Sequence, residues 1–151
     1  VGQTNDSLQQ LDLSGEHVEE IRPGEDFYWT EFQASLLDDF RGDCYLQLHR
    51  FSDAQNVFQE ALTLGKSSSL RHQSSVTIGL AEAMMQQGEL EQSCALAGQA
   101  LALTHQTQSW MILQYVHSFR DQLDQWKNEP CVKDLDEQIA YLRAEIPRFS
   151  A

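Results

Sequence analysis

Basic side chains are scarce in this sequence: 10 Lys and Arg stand against 23 Asp and Glu, a formal net charge of −13 over 151 residues. Such a surface repels phosphates, which argues against direct nucleic-acid contact and favours neutral or basic partners. No apolar run approaches the roughly 18 residues a membrane span needs, and no basic-then-apolar leader opens the chain. The three cysteines, Cys44, Cys94 and Cys131, are far apart and odd in number. They are expected to be reduced core or near-core residues of a cytoplasmic protein, not a disulfide frame or a metal site. Because the chain begins at Val1 and not Met, a processed or excised piece of something longer is expected.

Catalytic signatures are also missing. There is no Gly-rich phosphate loop, no His-Glu-x-x-His and no nucleophile elbow. The histidines, His17, His49, His72, His105 and His117, are isolated from one another. His117 and Asp121 share a helical spacing of four residues, as do His49 and Asp53, but the second pair straddles an expected turn. An acid–base dyad would need a pocket around either pair. The expectation is a chain that is not an enzyme and holds no metal or cofactor.

What is present is helical periodicity on an adequate apolar supply, with 41% hydrophobic and 22% charged residues. Residues 1–24 form an irregular acidic segment in which a short helix over about Ser14 to Ile21 stops at Pro23-Gly24. His17 and Glu20 would share a face there, read as solvated and acidic because no second His lies nearby. From Glu25 to Leu48 the apolar residues recur at three and four, with Phe27, Tyr28, Trp29, Phe32, Leu36, Leu37, Phe40, Tyr45 and Leu48 as an aromatic-rich set, expected to be core or the contact to a preceding repeat, with a ligand cage as the alternative. Further helices are expected over Ser52–Leu64, Ser69–Gln87 with Gly88 as the stop, Glu89–Thr104, Ser109–Lys127 and Cys131–Glu145. This gives hairpins at about 25–64, 69–104 and 109–145 within a domain of 25–146, and a tail at 147–151.

The first hairpin carries a frame. Gly42, Tyr45, Ala54, Phe58, Ala61 and Leu62 are separated by 3, 9, 4, 3 and 1 residues. Small Gly42 and Ala54 let two helices approach, and Tyr45 and Phe58 fill the space beside them. The frame lands again 39 residues on, with Ala81 for Gly42, Met84 for Tyr45, Ser93 for Ala54, Ala97 for Phe58 and Ala100-Leu101 for Ala61-Leu62. That offset exceeds a usual period of about 34, and the surplus falls in Gly65-Lys66-Ser67-Ser68-Ser69, where an insertion is cheap. Two unrelated amphipathic hairpins are the plain alternative.

This residue set resembles the tetratricopeptide repeat. Its departures are Asp38 and Arg41, where the family usually has large apolar residues, and Lys66, where it often has proline. The resemblance implies an all-α fold of helical hairpin repeats stacked as a short right-handed superhelix. A closer likeness covers about residues 27–140. Tyr28-Trp29, the run Gly42 to Leu48, Gly88 to Ala97, and Trp126 with Pro130 to Gln138 look like the C-terminal region of bacterial helix-turn-helix (XRE-type) transcriptional regulators with such repeats. In that family an N-terminal head binds DNA and the repeats sense or dimerise, and no such head is present in these 151 residues.

By the same resemblance the first helix of each repeat lines a groove, here with Leu36, Asp39, Asp43, Leu46 and Gln47, then Ser75, Ile78, Glu82, Met85 and Gln86. Acidic Asp39, Asp43 and Glu82 among apolar Leu46, Ile78 and Met85 suit a partly hydrophobic peptide of basic character. The lysine and asparagine clamp of chaperone-binding relatives is missing. Of Met84-Met85, at least one is expected in the core. In the last hairpin Ile112, Val116, Phe119, Leu123 and Trp126, spaced 4, 3, 4 and 3 apart, form a narrow seam, either a homodimer interface or a closing pair that seals the stack. The function expected is protein or peptide interaction and sensing, as a regulatory repeat domain. A passive scaffold joining two domains is the alternative.

Overall fold

A computed structural model of the chain describes residues 27–64 and 69–149. Among them are six α-helices and no strand: α1 (Phe27–Gln47), α2 (Phe51–Leu64), α3 (Leu70–Gln86), α4 (Leu90–Thr107), α5 (Trp110–Asp121) and α6 (Pro130–Glu145). The fold is all-α. The acidic segment 1–24, its Ser14–Ile21 helix with His17 and Glu20, and Gly65 to Ser68 lie outside the described residues, as do the side chains of Phe27 to Leu36.

Local chemistry sets the helix ends. The Ser69 hydroxyl accepts a hydrogen bond from the His72 N–H at 3.1 Å, and Ser109 accepts from the Ile112 N–H at 3.4 Å, so α3 and α5 each start on a serine cap. Pro130 occupies the first turn of α6, where an N–H would have no helical partner. At the end of α3, Gly88 adopts φ 87°. Its N–H reaches the Met85 carbonyl at 3.0 Å, and the Glu89 N–H reaches the Met84 carbonyl at 2.9 Å. This pair of bonds is the Schellman closure. The end of α1 repeats it at His49, φ 57°, with His49 N–H to Leu46 at 3.1 Å and Arg50 N–H to Tyr45 at 2.9 Å. These two of the three left-handed residues among those described, His49 and Gly88 but not Gln108, are 39 positions apart.

α5 is shorter than its periodicity predicts. It ends at Asp121, and Asp124–Trp126 forms a 3-10 turn. Two acidic side chains, Asp121 and Asp124, crowd an end whose free carbonyls disfavour negative charge. The backbone tightens instead, with Gln122 N–H on the Phe119 carbonyl at 3.1 Å and Leu123 N–H on Arg120 at 2.9 Å. Pro147–Phe149, expected within a tail, is a second 3-10 turn that buries Phe149 beside the Trp110 ring, centroids 5.6 Å apart.

Each helix packs on its sequence neighbour as far as α5, and α6 returns to lie on α4. α1 also touches α3, and α3 touches α5, so these three share one side of the molecule. The core falls into two clusters. Around Phe58 gather Ala54, Ala61, Val76, Leu80 and Ala83. The larger cluster joins Ile78, Ala81 and Met85 of α3 to Ala97, Leu101, Leu113, Phe119, Val132 and Leu135. α3 therefore feeds both, and it is buried almost all round. No helix among the described residues is long and apolar enough to cross a membrane.

Candidate functional site

The side built from α1, α3 and α5 carries a group of carboxylates. Asp39 Oδ2 lies 3.3 Å from His72 Nδ1, while Asp39 Oδ1 is buried without a hydrogen-bond partner among the described residues. One turn further on, Asp43 is exposed as a side chain, yet chain packed around its carboxyl pushes it above the usual carboxylate range, and Asp39 adds to the rise. Glu82 of α3 is half-buried, and burial raises its carboxyl too. The Gln122 amide, which donates to Glu82 Oε1 at 3.2 Å, opposes that rise, and Asp43 reinforces it. Burial also raises Asp38, held back by Arg41 and His72. Asp38 and Arg41, unusual against the repeat pattern, thus belong to a polar cluster at the α1–α3 contact.

Of the expected groove residues, Asp43 lies near enough to Asp39 and to Glu82 for their charges to act on one another. Gln47 and Gln86 are exposed at the helix ends, and Leu46 and Ser75 are half-buried. Leu46 packs against the Phe58 cluster. Ile78 and Met85 are corrections: both are 6% exposed and belong to the core. The reason is the position of α3, which packs on α2 and α4 and is also touched by α1 and α5, so that from Ser75 to Met85 only Ser75, Glu82 and Met84 are partly open to solvent. Met84 is half-buried against the Phe58 cluster. For Leu36 only the backbone is described.

The seam of the last hairpin is also decided by burial. Ile112, Val116, Phe119 and Leu123 are each 0% exposed, and Trp126 packs against the same cluster. Ile112, Val116, Phe119 and Leu123 are covered from within the chain, so these four offer no surface to a second copy, while Trp126 is half-buried. An Arg120–Asp136 fork, with Nη2 to Oδ2 at 3.0 Å, ties α5 to α6. The His49–Asp53 spacing brings no pair together: Asp53 takes the Arg50 guanidinium at 2.8 Å, and His49 stacks edge-on to Phe51. His117 is half-buried, with Nε2 lacking a partner among the described residues. Burial lowers its pKa, Arg143 acts the same way and Asp121 opposes.

Away from this face an open cleft of about 430 Å³ lies between α4 and α6 and includes Cys94, Gly98, Cys131 and Gln138. Sequence reasoning missed this cleft, and it missed His72 and Gln122 at the acidic face. Each depends on which helix faces which, and local spacing carries no sign of that. Compared with protein-family models, curated proteins and solved structures, the chain matches none.

Proposed function

We propose that this chain is a non-catalytic interaction module of the tetratricopeptide-like kind, which receives a basic peptide or protein segment on the face shared by α1, α3 and α5. The observation that carries the reading is the carboxylate group. Asp43 and Glu82 are each raised by burial and by a neighbouring carboxylate, with only an amide opposing at Glu82, and Asp39 keeps one buried oxygen without a donor among the described residues. A lysine or arginine from a partner would relieve the repulsion between Asp43 and Glu82, which makes charge-assisted hydrogen bonds worth more here than on open surface. The matching Schellman closures at His49 and Gly88 support equivalence of the first two hairpins, and so the repeat reading.

The resemblance to bacterial XRE-type regulators carries the rest of the proposal. The module sits in the cytoplasm as a regulatory domain, and occupancy of the face shifts α1 against α3, a change an attached domain reads. The test is fluorescence anisotropy with a labelled peptide alternating arginine and leucine, titrated at two salt concentrations. The Asp43→Asn, Glu82→Gln double variant should bind at least ~10-fold more weakly, with a smaller salt dependence. Glu91→Gln, Asp134→Asn at the cleft between α4 and α6 should bind as the parent does. Equal affinity for the two double variants would remove the acidic face as the binding site and leave the passive scaffold.

A further inference from the structure

Cys94 and Cys131 stand on either side of α5 in sequence, yet they meet where α4 packs against the first turn of α6. Cys131 packs against the core cluster that contains Cys94, and its thiol is near enough to raise the Cys94 pKa. Both line the cleft between α4 and α6, whose walls include the small residues Ala95 and Gly98. The two differ in access: Cys94 is 6% exposed and packed into the core, whereas Cys131 is half-buried at the cleft edge. Cys44, on α1, has no part in this cleft.

We propose that this thiol pair is an oxidation site, at which a hydroperoxide entering the cleft oxidises Cys131 and Cys94 then closes a disulfide that fastens α6 to α4. In the first step the Cys131 sulfur attacks the peroxide oxygen; the O–O bond breaks, an S–O bond forms, and for hydrogen peroxide the products are a sulfenic acid and water. In the second step the Cys94 sulfur attacks the Cys131 sulfur, the S–O bond breaks, and the hydroxyl leaves with the Cys94 proton as a second water. The peroxide is reduced by two electrons and the two thiols are oxidised by two. Exposure assigns the order, because the oxidant reaches Cys131 first.

The surroundings agree with that order. Burial pushes the Cys94 thiol up to about 12, the Cys131 thiol adds to the rise, and Ser93 and Arg120 oppose it. Cys94 therefore keeps its proton at neutral pH and reacts only when an electrophilic sulfur is already in contact with it. The disulfide would close the loop containing α5 and the first residues of α6, adding a covalent tie where packing on α4, the Arg120–Asp136 fork and the His105–Glu145 contact already hold α6.

The reduced chain, treated with a small excess of hydrogen peroxide and mapped by peptide mass spectrometry, should yield a linked Cys94–Cys131 peptide with Cys44 free. Two of the three thiols should be lost, both recovered by dithiothreitol, and the thermal midpoint should rise by on the order of 10 °C before reduction. In Cys94→Ser the reaction should stop at a Cys131 sulfenic acid that dimedone captures. Cys131→Ser, altered at the more exposed position, should keep Cys94 unmodified under the same dose. Survival of all three thiols in the parent chain, links that involve Cys44, or sulfinic acid at Cys131 without a linked peptide would each overturn the proposal. The mapping of the parent chain stands whether or not a variant folds.

Discussion

The first two hairpins share a spacing but fill their joints in opposite ways. In the first, one large ring does the filling: Phe58 of α2, 2% exposed, sits over Gly42 of α1 and Gly79 of α3. A Cβ added at Gly79 would lie 2.6 Å from that ring, and one at Gly42 would collide with it as well. Thirty-nine positions further on stands Ala97, which with Ser93 and Ala100 is 0% exposed. There α3 and α4 meet on small side chains, and the volume comes from a third direction, from Leu113, Val116, Phe119, Val132 and Leu135 of α5 and α6. A repeated frame thus transfers position without transferring shape. One joint depends on a single residue and the other spreads its packing over many.

Replacing the ring should therefore have the largest effect. Phe58→Ala is expected to lose about 3–5 kcal/mol of unfolding free energy, against ~1 kcal/mol for Ala97→Gly. Gly79→Ala should destabilise by about 1–3 kcal/mol while the ring is present. In the Phe58→Ala background the same change should turn mildly stabilising, by roughly 0.5–1 kcal/mol, because only the helix preference for alanine remains. Urea unfolding of the four chains of that cycle decides the matter. Additive losses would mean that Gly79 is needed for something other than room for the ring.

Some of this is legible in the sequence. Ser69 and Gly88 mark their helix ends by residue type alone, and the spacing of Gly42, Ala54 and Phe58 announces a close helix pair. The frame also points to Ala81 as the second approach site, and Ala81 is indeed fully buried, but the residue under the ring is Gly79. The reason is that Phe58 looks across to the next hairpin as well as to its own, and a frame read within one hairpin has no term for that. Ile78 and Met85 were misplaced for a related cause. A helix with neighbours on two flanks buries residues that a terminal helix would leave in a groove. At the candidate site, Asp39, Asp43 and Glu82 were legible as a charged set. His72 and Gln122 were not, because their roles come from contacts between helices distant in sequence.

The two Schellman closures sharpen the comparison at a smaller scale. Both helices turn out through a left-handed residue, but only one has the residue that takes this conformation without strain: Gly88 at φ 87°, His49 at φ 57°. Gly88→Ala should destabilise by about 1 kcal/mol. His49→Gly should stabilise by up to ~1 kcal/mol, less what is lost with the contact between the His49 and Phe51 rings, whose centroids are 5.4 Å apart. Thermal midpoints that move the same way for both substitutions would show that the two ends are not equivalent.

The smallest expected effect is the one that bears on function. Asp43 and Glu82 have folded pKa values above their unfolded references of 3.8 and 4.5, so between the two values the native state binds more protons. Their contribution to stability is present at acid pH and is lost as pH rises through the folded values. At neutral pH the charged pair works against folding. Asp43→Asn, Glu82→Gln should therefore be more stable than the parent at pH 7, by ~0.5 kcal/mol after solvent screening, and should gain less on acidification. His117 runs the other way. Its folded pKa lies below 6.5, so stability falls as pH drops through that region, and the double variant leaves this loss uncovered. Urea midpoints at neutral and mildly acid pH separate the two trends. A double variant that is more stable yet binds the basic peptide less well would show carboxylates held at the expense of folding, as a binding face requires. A double variant less stable at pH 7 would make the same carboxylates part of the packing.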